Sequence, residues 1–421
     1  MSEGEQAVPY EVIIAGAGMV GTTLACLLGR AGLSVALLDA RATPLDPARV
    51  GVGAPSRRVS ALTPVSQQLL AGLGAWSWMA ARRVSPYRFM QVWDGEGSGE
   101  VNFSADQAGV PVLGHIVENE VVLAALEACA AELPSVATHF GARVAGLEAD
   151  AAGRTVLLEE GGRLAAPLVV AADGAHSPLR AMAGIDVTAH DTGQVAVVTT
   201  VRTQRAHGGV ARQVFLPTGP LAFLPLRIDG DAHHCSIVWS TTAEEAQRLV
   251  ALTPEALGDA LGTAIDGRLG EVAVTHGAQT LPLVQRHAER YVLPGFALVG
   301  DAAHSIHPLA GQGVNLGLMD AAVLAETLIA GRQRGLSLGA TASLARYARR
   351  RRGDNAAMLA LMDGFRRLFG ARHPALTLAR NLGLAGVDRL APLKRLLMQQ
   401  ATGHRGRLPR SCLPLSRRDA G

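Results

Sequence analysis

The stretch YEVIIAGAGMVGTTLACLLGRAGLSVALLDAR, residues 10–41, constrains the fold more than any other part of the chain. Val12, Ile13 and Ile14 form the short apolar run that a parallel strand, buried on both faces, requires. Gly16, Gly18 and Gly21 follow in the order G-x-G-x-x-G and open an apolar helix through Arg30, with Gly32 placed to stop it. A second strand, Val35–Leu38, then ends on Asp39. Each glycine has a task in such a turn. The first makes it, the second lets a pyrophosphate approach the backbone, and the third lets helix and strand pack closely. An acid closing the second strand suits ribose hydroxyls. The unit predicts a Rossmann-type dinucleotide-binding domain, without separating FAD from NAD.

Two more strand ends carry polar motifs. LVVAADGAHSPLR runs into Asp173 and Gly174, with Ser177 and Arg180 behind them. FALVGDAAHSIHPLAGQGVNLG runs into Gly300 and Asp301, then through a glycine-rich step into a helix expected to reach about Ala330. A nicotinamide dehydrogenase needs only the first motif. Three strand-end sites spread along the chain point to one long ligand touched repeatedly by one sheet.

Composition removes several chemistries. Lys394 is the only lysine, which excludes a Schiff-base or P-loop lysine from the main body of the chain. Cys26, Cys129, Cys235 and Cys412 have neither CxxC spacing nor a disulfide framework, so a reducing cytoplasm is expected. The N-terminal MSEGEQAVPY lacks a basic signal-peptide region, and no run of about 18 apolar residues predicts a membrane span. A net charge of +3 is too weak to argue for nucleic acid, although the tail GHRGRLPRSCLPLSRRDAG holds five arginines against one aspartate. His304 and His307 stand three apart with no Glu or Cys nearby. No metal is expected, and His304 reads as a turn-packing residue.

The three motifs together resemble the aromatic-ring flavoprotein monooxygenases of the para-hydroxybenzoate hydroxylase fold. RRVSALTPVSQQLLAGLGAW, PYRFMQVWD, LGHIVEN, ARQVFLPTGPLAFLPL and CSIVWSTTAEEAQRL make the chain similar to the ubiquinone-biosynthesis hydroxylases, most of all those acting on a 2-polyprenylphenol. The resemblance spans about residues 10–402, and His307 stands where such proteins often carry Asn.

That resemblance implies an FAD-dependent monooxygenase acting through a flavin C4a-hydroperoxide, reduced by NAD(P)H or by a reductase/ferredoxin system. Its expected partners are a polyprenylated phenol, molecular oxygen and other ubiquinone-biosynthesis proteins. Its expected place is the cytoplasm, with peripheral contact at the inner face of the cytoplasmic membrane. Alternatives left open are another ring position, a soluble aromatic, or a non-catalytic flavoprotein subunit. The cofactor residues carried over are Gly16, Gly18, Gly21, Asp39, Arg58, Asn119, Asp173, Gly174, Arg180, Gly300, Asp301, Gly313, Val314 and Asn315. For Asn119, helix capping and cofactor contact remain equally open. Around the flavin ring the expected residues are His307, Pro308, Gly311, Gln312 and Gly313, with backbone N–H groups at a helix start stabilising negative charge on reduced flavin.

The expected fold class is α/β, a Rossmann-type FAD domain with an antiparallel β-sheet substrate domain and a C-terminal helical region. The FAD domain is drawn from residues 1–80, 109–185 and 283–343, and the substrate sheet from 81–108 and 186–282. Residues 344–421 form the helical region and basic tail. Phe215, Phe223, Leu224 and Pro225 are the candidate cavity wall, and Asp229-Gly230 a hairpin turn.

Overall fold

The computed structural model describes residues 10–150, 153–305, 313–370, 398–399, 402–404 and 406–414. A six-stranded sheet sits at the centre of the nucleotide-binding part. Its order is Val292–Leu293, Phe296–Leu298, Leu168–Ala171, Val12–Ala15, Val35–Asp39, Val136–Phe140, and all but the first strand run parallel. The three motif-bearing strands are therefore immediate neighbours. Val12–Ala15 and Leu168–Ala171 are buried on both faces, as their unbroken apolar sequences require.

The helix Met19–Arg30 covers one side of this sheet and packs against the helix Gly313–Arg332. The latter is long and apolar enough to cross a membrane. In this fold Leu318, Ala321, Ala322, Val323, Leu324 and Leu328 of that helix lie in the main core, which accounts for its apolar composition.

An eight-stranded sheet forms the second layer. Its order is His304–Ser305, Val272–Ala288, Val187–Thr203, Asp231–Thr242, Gly219–Ile228, Val210–Leu216, Phe89–Asp94, Glu100–Ser104. Only the Val210–Leu216 and Phe89–Asp94 pair is parallel. The chain reverses between Gly219–Ile228 and Asp231–Thr242 at Asp229 and Gly230, both with positive φ, as the tight hairpin demands. The strand Val272–Ala288 runs unbroken through residue 282, so the sheet has no break at that expected boundary. From the 81–108 segment, Phe89–Asp94 and Glu100–Ser104 join this sheet. Val84–Tyr87 instead pairs with Gly114–Glu118, whose other neighbour is Val59–Leu62.

Alternation along the strands gives this sheet two different faces. Leu221, Phe223, Ile237, Trp239, Val197 and Val201 pack against the helices Ala243–Val250 and Pro254–Ala264 on the back. Ala222, Leu224 and Leu226 face the other way and meet Ala61, Tyr87 and Ile116 of the nucleotide-binding part. Between the two layers lies the cavity.

Residues 406–414 do not trail into solvent as a free tail. Leu408 packs on the main core, Cys412 is buried within it, and the Arg410 backbone N–H donates to Glu326 at 3.2 Å. The guanidinium of Arg350 holds the Arg407 carbonyl.

Candidate functional site

A cavity of about 540 Å³ opens at the carboxyl ends of the three central parallel strands, where open α/β sheets bind their ligands. The first motif shows why each glycine is needed. Gly16 has φ +106°, and a Cβ there would lie 2.3 Å from the Ala172 carbonyl oxygen on the neighbouring strand end. A Cβ on Gly21 would lie 1.9 Å from the Gly16 oxygen, so helix and turn could not close. Gly18 has open space where its side chain would be and lines the cavity. Two of the three glycines thus serve packing; only Gly18 serves the ligand surface.

Asp39 braces this turn. Its carboxylate accepts from the Ala17 N–H at 2.8 Å, from the Arg41 N–H at 2.8 Å and from Arg41 Nε at 3.1 Å. Arg41 in turn pairs with Glu127 at 2.7 Å. A carboxylate has about four lone-pair sites, so Asp39 retains acceptor capacity for a hydroxyl.

At the second motif, Asp173 Oδ2 accepts from the Leu179 N–H at 3.1 Å, while Oδ1 is buried with no partner. Burial pushes the Asp173 pKa up, against hydrogen bonds that favour the charge. Gly174 lines the cavity. Arg180 was expected among the cofactor contacts, yet its guanidinium donates to the carbonyls of Ala302 at 2.9 Å and Ala175 at 3.2 Å. It ties the second motif to the third.

At the third motif Asp301 is exposed and lines the cavity. Desolvation raises its pKa, opposed by His304, Arg58 and Arg286. Arg58 and Asn119 also line the cavity. Asn119 is the first residue of the helix Asn119–Ala131, and its Oδ1 accepts from Ser60 Oγ at 2.7 Å; the capping position belongs to Glu118. Gly313 and Val314 bring the start of the helix Gly313–Arg332 to the cavity edge. Asn315 does not line it. Its Oδ1 accepts from the Thr63 N–H at 3.0 Å and Ser66 Oγ at 2.7 Å, and its Nδ2 donates to the Ala61 carbonyl at 2.8 Å. That carboxamide locks the helix start to the strand Val59–Leu62. His307, Pro308, Gly311 and Gln312 lie outside the described residues.

The expected cavity wall is corrected by strand parity. Phe223 belongs to the core on the back of the sheet, and Pro225 follows it at the same parity. Leu224 is on the front but packs on Ala61 and Ile116, while Phe215 sits near the sheet edge with Val92 and Val101. Ala196, Val198, Val238, Leu281 and Leu283 form the wall instead. These residues sit in the plain alternating strands GQVAVVTTVRT, CSIVWSTT and TLPLV, where period two marks two faces but not which one meets the cavity.

A buried polar cluster behind the third motif had no sequence signal. Asp320 accepts from the Gly300 N–H at 3.0 Å, His304 Nε2 at 2.5 Å, Arg351 Nε at 2.7 Å and Asn355 Nδ2 at 3.3 Å. Burial would raise the Asp320 pKa, but His304 and Arg351 outweigh it and hold it at about 2. His304 is thus a hydrogen-bonded partner of a carboxylate rather than turn packing alone. Among the described residues no group of three or more His, Cys, Asp or Glu side chains is placed to hold a metal ion.

The donor set fits a flavin dinucleotide. It offers a bare glycine edge at a helix start, a carboxylate at Asp301 and an aliphatic wall opposite. Comparison with known proteins points the same way. The family described as FAD binding domain matches residues 9–360. A ubiquinone hydroxylase, UbiL, of Rhodospirillum rubrum is 38% identical over 93% of this chain and 89% of its own length. The 3-demethoxyubiquinol 3-hydroxylase of Escherichia coli is 38% identical over 94% of this chain and 99% of its own. Among solved structures, p-nitrophenol 4-monooxygenase PnpA of Pseudomonas putida superposes with a TM-score of 0.76 at 20% identity, covering 94% of this chain and 99% of that one.

Proposed function

This chain belongs to the FAD-binding-domain family, among the FAD-dependent aromatic-ring hydroxylases of ubiquinone biosynthesis, and from that premise we propose that its substrate is a polyprenylated phenol. One observation carries the reading: five of the six residues of the eight-stranded sheet that line the cavity at the three strand ends are aliphatic, Ala196, Val198, Val238, Leu281 and Leu283, with Ser305 the one polar residue among them. Such a wall accepts an apolar ring with an apolar substituent and excludes water from it.

Within this reading FAD would be held at the strand ends. Gly18 and Gly174 would leave room for its phosphates, Asp39 would take ribose hydroxyls and Asp301 the polyol chain. Gly313 and Val314, at the start of a helix, would supply backbone N–H groups favouring negative charge on the ring. Gly16, Gly21, Asp173, Arg180, Gly300 and Asn315 hold these groups in place. Reduced FAD supplies the activated oxygen; the protein supplies position and dryness. NAD(P)H or a reductase/ferredoxin system would provide the electrons. A substrate with a polyprenyl tail places the enzyme's work at the inner face of the cytoplasmic membrane.

The test is turnover by the purified, FAD-loaded protein of a 2-prenylphenol with a short chain, paired with profiling of quinone precursors in cells lacking the protein. A hydroxylated product and an accumulated prenylphenol support the reading. Accumulation of a later, already oxygenated ring would assign the substrate to a different step and overturn it.

A further inference from the structure

We infer that Thr200 and Ser236 form the polar end of the substrate cavity, binding an oxygen substituent of the ring, while the apolar tail leaves past Leu281. The inference rests on the prenylated-phenol reading above and adds the orientation of the substrate.

The strands Val187–Thr203 and Asp231–Thr242 keep an unbroken register from Gln194–Thr242 to Arg202–His234. In that register Val198 pairs with Val238, and both line the cavity. The next pair on the same face is Thr200 and Ser236, roughly 6–7 Å further along the strands. Val197 and Val201, at the opposite parity, lie in the back core, which fixes Thr200 to the cavity side. Thr200 is 0% and Ser236 1% exposed, and neither hydroxyl has a hydrogen-bond partner.

Buried hydroxyls are nearly always partnered, so two orphans side by side, one step from a ligand cavity, are an unmet demand for a polar atom. The pairing with Val272–Ala288 shifts register between Val198 and Thr200, and bulges of this kind concentrate beside active sites. The demand is for a neutral oxygen. Hydroxyls match a phenol or an ether, and the next pair beyond, Arg202 and His234, is turned to Asp231 at 3.4 Å each. At the other end of the wall Leu281 is 37% exposed on the outer part of Val272–Ala288, which pairs with His304–Ser305 only at Arg286 and His287. The orphaned hydroxyl pair thus lies beyond the buried end of the aliphatic wall, and Leu281 stands at its exposed end.

The test compares 2-prenylphenol with prenylbenzene, which lacks the hydroxyl, by titration against the FAD-loaded protein. Wild type should prefer the phenol by roughly tenfold, the worth of one or two net hydrogen bonds. Thr200→Val and Ser236→Ala should each erode that preference, and the double variant should abolish it. Melting temperature should hold or rise, because an orphaned group is removed. Thr200→Ser should keep the preference. Leu281→Glu should weaken binding of a long-chain phenol more than of 2-prenylphenol.

A preference that survives the double variant would mean that the hydroxyls hold internal water only, and would overturn the inference. So would equal weakening of both ligands, or an equal effect of Leu281→Glu on both chain lengths. If wild type binds neither ligand, the prenylated-phenol reading fails and takes the inference with it. If wild type hydroxylates 2-prenylphenol but the preference is untouched by the variants, only the polar end is refuted.

Discussion

Asp320 offers the sharpest test of how the Asp301 loop is held. Its carboxylate is fully buried and accepts four hydrogen bonds, one of them from the backbone of Gly300, the residue preceding Asp301. A pKa held at about 2 instead of 3.8 corresponds to about 2 kcal/mol of preference for the ionised form in the fold. Asp320→Asn removes that charge and also turns an amide donor toward groups that are themselves donors. Arg351, 3% exposed, is left as a buried cation without its principal counter-ion. Breaking one partner out of such a pair costs about 3–5 kcal/mol.

The expected result in urea unfolding at neutral pH is a loss in that range, and at least about tenfold weaker FAD binding as the Gly300 peptide loses its anchor. The pH dependence has a definite sign. The folded pKa lies below the unfolded one, so the stabilisation is complete above about pH 4 and is lost as pH falls toward 2. The Asn variant should lack that part of the acid sensitivity. Adding Arg351→Met should cost less than the sum of the single changes, since it removes the stranded cation. A variant within about 1 kcal/mol of wild type, with unchanged FAD affinity, would refute the argument that this cluster positions the loop.

The glycines of the first motif should separate by function. Gly18→Ala should fold with a near-native melting temperature and lose FAD, because its Cβ meets only the cavity. Gly16→Ala should fold poorly, because φ is +106° and the added Cβ lies 2.3 Å from the Ala172 oxygen. Equal melting temperatures for the two variants would contradict this division. Asp301→Ala should turn a yellow protein pale without a large loss of stability. Loss of a hydrogen bond from a charged acceptor corresponds to about 1.5–3 kcal/mol, or roughly 10- to 150-fold in FAD dissociation constant by equilibrium dialysis.

The nucleotide-binding part was legible because its constraints are local. The turn at Gly16, the bare edge at Gly18 and the close packing at Gly21 all fall within six residues. That spacing can be read without knowing what lies across the sheet. The adjacency of the three motif strands followed from requiring one ligand to be touched three times. The cavity wall was not legible, because alternation assigns Phe223 and Leu224 to opposite faces without saying which face looks inward. Nor was the Asp320 cluster. Gly300, His304, Asp320 and Arg351 meet only when the helix Thr341–Gly370 docks, and an aspartate inside an apolar helix gives no sign of an arginine 31 residues later.

The C-terminal segment shows the same limit and leads to a last prediction. Counted by charge, GHRGRLPRSCLPLSRRDAG reads as a solvated basic tail, for which cutting after Gly403 would be harmless to the fold. In the structure Pro409 and Cys412 are buried, Leu408 packs on the main core, and the backbone of residues 407–410 is held by Arg350 and Glu326. Cutting after Gly403 therefore uncovers apolar surface on the main core and removes one hydrogen-bond partner each from Arg350 and Glu326, which keep their mutual ion pair at 2.8 Å. Truncating one buried side chain of this size costs about 2–5 kcal/mol, so losing several at once should lower the melting temperature and FAD retention together. Cutting after Pro414 removes Arg417 and Arg418 and leaves the docked segment intact, so it should keep both. The second cut is then the one that tests a membrane role. About 1 kcal/mol per arginine near an anionic surface predicts weaker, salt-sensitive flotation with anionic liposomes when the two are lost. If the cut after Gly403 leaves the melting temperature unchanged, the segment contributes nothing to the core. If flotation is unaltered by the cut after Pro414 at both low and high salt, the terminal arginines have no part in reaching the lipid.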